Sequence, residues 1–229
     1  MPRGIQRKGI IRRNKIVRSA VKLFLENGYE KTTTANIAQA AGMAPSSFFA
    51  AFENKEALLL TLTKEMFESQ FSRTEGLIGR DDPLLLYGVE TAIQLYITEL
   101  SEPLRETYVM AYSMATTSEY IYSGMAKKLL QLFGDYMPGA QEKDFYEMEI
   151  ASGSIIRGFM AKHCDLYFTI DKKLKRFLSC CFTLYHVPQE KQDEVINAVI
   201  GMDLKPIAEN IIADTVAKAE KGFEEIMMK

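Results

Sequence analysis

Residues 12–59 read RRNKIVRSAVKLFLENGYEKTTTANIAQAAGMAPSSFFAAFENKEALL, and this stretch decides the fold. Ile16, Ala20, Leu23 and Phe24 recur at helical spacing and make one apolar face. Gly28 stands where that helix must stop, because glycine takes the left-handed cap conformation without strain. Thr33 is suited to cap the next helix, with Asn36 three residues on as its capping-box partner. Ala38 and Gly42 lie four apart, the first small enough for two helices to cross closely, the second able to adopt positive φ in a tight turn. Pro45 suits the first turn of a second short helix, where a missing N–H is no loss. Ile37, Ala41, Met43, Phe48 and Phe52 supply apolar contacts for a three-helix core. Helix, glycine stop, threonine start, short helix, glycine turn and second short helix are the plan of a helix-turn-helix.

In register, Gly28-Tyr29, Thr32-Thr33, Ile37-Ala38, Ala41-Gly42, Phe48-Phe49, Phe52 and Lys55-Glu56-Ala57-Leu58 resemble the TetR family of bacterial transcriptional regulators. The agreement covers about a fifth of the chain and rests on many positions rather than one short string. The resemblance implies an all-α protein: an N-terminal three-helix helix-turn-helix head over residues 1–54, and a helical-bundle ligand-binding and dimerisation body over residues 55–229.

Charge is divided in the same way. Residues 1–55 hold ten Lys and Arg against three acids, a net of +7, whereas the whole chain is −2, so residues 56–229 carry −9. A basic head on an acidic body suits phosphate binding at one end, although a solvated basic helix would show the same surplus. Cys164, Cys180 and Cys181 are an odd count without framework spacing, which suits a reducing cytoplasm. No apolar region follows the basic N-terminus as in a signal peptide, and no apolar run reaches the roughly 20 residues that span a bilayer.

Beyond the head, periodicity and breakers predict helices over about 55–78, 83–100, 103–114, 118–136, 142–168, 171–185, 189–200 and 203–228, with Ser118 as a cap and Pro206 in the first turn of the last. Long amphipathic helices with short connections form bundles. Ser152, Gly153, Ser154 and Gly158 put small residues on one long helix, which serves either a dimer seam or packing within the chain.

By resemblance, the recognition helix is about 45–51, and DNA contacts are expected from Thr33, Thr34, Pro45, Ser46, Ser47, Phe49 and Lys55. The chain departs from the family pattern here. Phe49 stands where a tyrosine hydroxyl usually reaches phosphate, Pro45 where a lysine or similar polar group is common, and Ala44 where a serine cap is usual. Direct readout therefore falls to Ser46, Ser47 and apolar contact with thymine methyls, which predicts an A·T-leaning operator. Phosphate anchoring falls to Thr33, Lys55, helix-start N–H groups and the basic arm of residues 1–9, with a strong salt dependence.

The resemblance also implies a small-molecule effector, and the abundance of Tyr, Phe and Met suits an apolar or aromatic one. Candidate contacts are Met66, Phe67, Tyr96, Tyr108, Tyr112, Met114, Phe133, Arg157 and Phe159, each of which also reads as ordinary core or, for Arg157, as a surface or dimer-seam charge. No catalytic motif is present: there is no phosphate loop, nucleophile elbow or HExxH, and Glu147 and Glu149 lie two apart. His163, Cys164 and Asp165 are consecutive, and Cys180, Cys181 and His186 lack zinc spacing, so neither metal nor cofactor is expected. The sequence thus points to a homodimeric, cytoplasmic transcriptional repressor, not an enzyme, released from double-stranded operator DNA by a small ligand. Two alternatives remain: a regulator that activates or acts without a ligand, and a helical small-molecule binder or enzyme with a degenerate, non-specific head.

Overall fold

The computed structural model describes the backbone of residues 3–227, with side chains described except at 3–6, 68–71 and 221–227. It is all-α among these residues. Three helices build the head: α1 (Arg3–Asn27), α2 (Thr34–Ala40) and α3 (Ser46–Phe49). The body follows as α4 (Lys55–Ile78), α5 (Pro83–Leu100), α6 (Glu102–Ala111), α7 (Ala115–Phe133), a 3-10 turn (Gly134–Tyr136), α8 (Glu142–Ala161), α9 (Ile170–Leu184), α10 (Gln189–Ile200) and α11 (Lys205–Met227).

Helix starts follow the local chemistry. Asn54 caps α4 by accepting from the Ala57 N–H at 2.7 Å, Asp82 caps α5 at the Leu85 N–H with Pro83 in the first turn, and Ser101 caps α6 at the Leu104 N–H with Pro103 behind it. Pro206 lies in the first turn of α11, as predicted. The expected arm of residues 1–9 is instead the opening of α1 from Arg3 onward; Met1 and Pro2 lie outside the described residues, as does the predicted helix end at Met228.

Two predicted helices are corrected. Ser118 is not a cap: α7 starts at Ala115, and its first turn is satisfied by Glu56 of α4, whose Oε1 accepts from the Thr116 N–H at 3.0 Å. At its other end α7 stops at Phe133 and tightens into the 3-10 turn. The long helix expected over 142–168 stops at Ala161. Asp165 folds the chain back by accepting from the N–H groups of Tyr167 and Phe168 at 2.9 and 2.8 Å, a side-chain turn that competes with helix. The fully buried Lys173 of α9 seals the bend, donating to the Lys162 carbonyl and to Glu99 Oε1. Burial pushes the Glu99 carboxyl up, but the hydrogen bonds from Lys173 and the Cys164 N–H, with the charges of Lys173 and Arg105, outweigh it and hold Glu99 below the usual carboxylate range.

Two apolar cores result. The smaller joins Ile16, Ala20, Phe24, Tyr29, Ile37, Ala38, Phe48, Phe52, Leu58 and Leu59, and Met110 and Met114 of the body pack against it. The larger fills the body around α5, where Tyr87, Phe133, Phe182 and Tyr185 make an aromatic cluster; the Phe133 and Tyr185 rings stack at 4.2 Å. α11 runs back from the body to lie along both α5 and α1.

Candidate nucleic-acid interface and ligand cavities

The head is held from inside so that one face stays free. Thr33 accepts from the Asn36 N–H at 3.1 Å while Asn36 Oδ1 accepts from the Thr33 N–H at 3.2 Å, the capping box predicted for α2. Ala38 is fully buried at the helix crossing, and Gly42 turns at φ +70°. Phe48 and Phe52 then anchor α3, with Phe48 fully buried and the Arg13 guanidinium 4.2 Å above the Phe52 ring. Anchoring Phe48 turns Pro45, Ser46, Phe49 and Ala50 outward, with Ser47 half-buried beside them; Phe49 is 60% exposed. An exposed phenylalanine beside serine and alanine is a surface suited to thymine methyls rather than to a hydrogen-bond code. α3 is shorter than the 45–51 expected: Pro45 has helical angles but precedes the helix, and Ala50 closes it.

Among the predicted DNA contacts, Thr33 is exposed and Thr34 half-buried at the start of α2. Lys55 differs in kind. Its ammonium donates to the carbonyls of Tyr29 and Thr32 at 2.8 and 3.1 Å and lies 4.0 Å over the Tyr29 ring. Burial pulls its pKa below the ordinary lysine value, with Glu30 and Glu106 acting in the opposite direction. Lys55 thus ties α4 to the α1–α2 connection, and most of its donor capacity is already engaged.

The predicted ligand contacts do not converge. Met66 and Tyr108 line a cavity of about 620 Å³ between α1, α4, α6 and α11. Phe67 and Tyr112 line a separate void of about 20 Å³ inside the body. Phe133 belongs to the aromatic core, Tyr96 packs half-buried at its margin, and Met114 contacts the head core. Phe159 lies near the rings of Phe168 and Phe177, and Arg157 is exposed on α8.

The void reveals residues that sequence reasoning missed. Glu90 and Glu149 both face it, together with Thr91, Gln94 and Ser152. Gln94 donates to Glu90 at 2.7 Å and accepts from the Tyr112 hydroxyl at 2.9 Å. Ser152 donates to Glu149 and shares a 2.8 Å hydrogen bond with Tyr185. Burial raises the Glu90 carboxyl to about 7, against the Gln94 hydrogen bond and Lys128. Burial likewise raises Glu149 to about 8, against its Ser152 and Tyr185 hydrogen bonds and with the charge of Glu90 adding to the rise. The available signal was a Glu and a Gln four apart within PLLLYGVETAIQLYITEL, a mainly apolar helix whose other carboxylate is Glu99. Among the described residues, no group of three His, Cys, Asp or Glu is placed to hold a metal ion, and no helix is long and apolar enough to cross a membrane.

Residues 16–62 match the model for bacterial regulatory proteins of the tetR family. The HTH-type transcriptional regulator TcmR of Streptomyces glaucescens is 37% identical over 79 residues, which are 34% of this chain and 35% of that regulator. The HTH-type transcriptional repressor Rv1474c of Mycobacterium tuberculosis is 39% identical over 70 residues, 30% of this chain and 37% of its own length. The HTH-type transcriptional regulator YvkB of Bacillus subtilis is 27% identical over 163 residues, 68% of this chain and 77% of its length. For most of these curated relatives the chain spans only about a third of their length. In structure the chain is similar to SmeT, the repressor of the Stenotrophomonas maltophilia multidrug efflux pump SmeDEF, with a TM-score of 0.53 at 18% identity over 75% of this chain and 88% of that one. That likeness extends the common fold beyond the head into the helical body. The head, over residues 16–62, is thus similar to the bacterial regulatory proteins of the tetR family, and the fold of most of the chain is similar to that of SmeT.

Proposed function

We propose that the protein is a homodimeric transcriptional repressor that grips double-stranded operator DNA through the α2–α3 face and is released by a small apolar or aromatic ligand. The observation that carries this reading is the outward set Pro45, Ser46, Phe49 and Ala50, held in place by the buried Phe48 and the capped start of α2. Thr33, Thr34 and Ser47 complete the proposed contact surface, with Lys55 holding it to α4. The division at residue 54 separates this DNA-binding head from a ligand-binding and dimerisation body, and the protein works in the cytoplasm, where its DNA is. It performs no catalysis in this reading.

The dimer is assigned to the open face of α8. Ile150, Ser154, Arg157 and Gly158 recur at helical spacing and are all exposed, and Leu166 and Tyr167, in the connection that follows α8, are 84% and 82% exposed. Ser152 and Gly153 face inward instead; a Cβ on Gly153 would come within 2.9 Å of the Tyr122 ring. The small residues of α8 are therefore divided between packing within the chain and the proposed seam.

Selection from random duplex DNA at about 150 mM salt, where long-range charge is substantially screened, tests the function. A recovered A·T-leaning palindrome supports a twofold reader. A second reading, a head that grips phosphate without reading sequence, is motivated by Pro45 and Phe49, which offer no donor to DNA. It predicts no recovered motif and binding that vanishes as salt rises.

A further inference from the structure

The void inside the body is not a place for an effector in this conformation. At about 20 Å³ it has room for one water. The cavity at the junction of head and body, at about 620 Å³, is in the range of small-molecule sites. Its floor is buried and apolar: Phe24 from α1, Leu59 from α4, and Leu104 and Ala111 from α6. Its mouth is polar and exposed, with Glu65 of α4 and Lys218 of α11. These are the groups of opposite charge among the described lining residues, and both are exposed, whereas the floor is buried. A charge carried to that floor would be left without a partner at a cost of several kcal/mol. Thr63 and Thr107 offer a few hydroxyl contacts; Thr107 already donates to the Pro103 carbonyl and so presents acceptor lone pairs.

We propose that this junction cavity is the effector site, and that its ligand is an uncharged, mainly apolar molecule of drug-like size, about 20–30 non-hydrogen atoms, with its polar end at the mouth. The proposal rests on reading the chain as ligand-responsive, and it relocates the ligand from the body interior. The physical reason for the place is the origin of its walls. α1 belongs to the head, α6 and α11 to the body, and α4 joins the two. Other bridges cross the same junction: Glu106 of α6 accepts from the Glu30 N–H, and Arg18 pairs with Glu220 of α11 at 3.9 Å. A molecule wedged among these helices touches the head directly and sets its pose against the body. A preference for one pose is what a ligand must have to shift the equilibrium.

The test is a fluorescence titration of the full chain with Nile red, a neutral dye that brightens in apolar surroundings, in the absence of DNA. Leu62→Trp on α4 and Ala219→Trp on α11 each fill the cavity from a different side, so a folding defect in one leaves the other informative; both are checked by thermal melting. Gln94→Leu alters the body void instead. The expected result is saturable binding weakened about tenfold or more by either tryptophan and unchanged by Gln94→Leu. Absence of saturable binding, equal binding by the folded tryptophan variants, or loss confined to Gln94→Leu overturns the site. Because DNA is absent, this result is independent of operator selection: a chain that binds the dye in the cavity but recovers no motif retains the site and loses the repressor reading.

Discussion

Glu149 shows how one residue makes stability depend on pH. Its carboxyl is buried among Ser152, Tyr185 and the neighbouring Glu90, and burial raises it from 4.5 to about 8. The folded state therefore holds a proton that the unfolded chain releases. Between the unfolded and folded values the native state binds more protons, so stability falls as pH rises through about 4.5 to 8 and levels off above. Glu90, raised to about 7, acts in the same direction. Thermal melts should show Glu149→Gln gaining on the wild type, on the order of 2 kcal/mol between pH 5 and pH 8. A parallel pH dependence in the two proteins would remove Glu149 as the cause. The turn glycines make a second contrast. Gly42 at φ +70° has open space around a notional Cβ, so Gly42→Ala should cost only the backbone strain, about 1 kcal/mol. Gly28, at φ +83°, would also drive a Cβ to 2.5 Å from Glu106 Oε2, so Gly28→Ala should cost more. Its excess should shrink in a Glu106→Ala background, which a double-mutant cycle by urea unfolding measures.

Among the elements, α3 and α4 divide the labour of the head. α3 has only four residues and no side-chain cap, so packing of Phe48 and Phe52 rather than local propensity holds it. α4 is capped by Asn54 and reaches from the head into the body. Asn54→Ala should lower stability by about 1 kcal/mol in urea unfolding, through loss of the bond to the Ala57 N–H. Phe49→Ala should leave the melting temperature nearly unchanged, because the ring is exposed, while reducing affinity for a selected operator by roughly tenfold, as expected for one apolar base contact. An operator affinity unaffected by Phe49→Ala would take this side chain out of the interface. The connection after α8 also belongs to this scale. Lys173, buried against Glu99 and the Lys162 carbonyl, is the pin of that bend, and its truncation would leave Glu99 without its strongest partner.

For the whole molecule, two heads on a twofold axis would read two half-sites about one helical turn apart or a multiple of it. The open face of α8 with Leu166 and Tyr167 is the surface assigned to that pairing. Ile150→Asp combined with Tyr167→Asp should turn a dimer into a monomer in sedimentation velocity while keeping the helical circular dichroism of the wild type. A dimer that survives both changes moves the seam elsewhere. Because α1 is packed against α11 and α6, the pose of the heads is linked to the body through more than α4 alone.

The head was legible from residues 12–59 because its determinants are local: a helix-stopping glycine, a threonine cap, a small crossing residue and a positive-φ turn act within a few positions of themselves. The same held for α4, α5 and α10, whose starts carry a cap or proline. What only the tertiary structure decided depended on partners distant in the chain. α7 begins at Ala115 because Glu56 reaches it, and α8 ends at Ala161 because Lys173 and Glu99 hold the following bend. Lys55 is spent on Tyr29 and Thr32, and the aromatic residues offered as one ligand site are distributed among core, void and junction. A cap acts on the next turn, so periodicity and spacing reveal it; a cavity exists only between elements that the fold brings together, and α1 and α11 meet across nearly the whole chain.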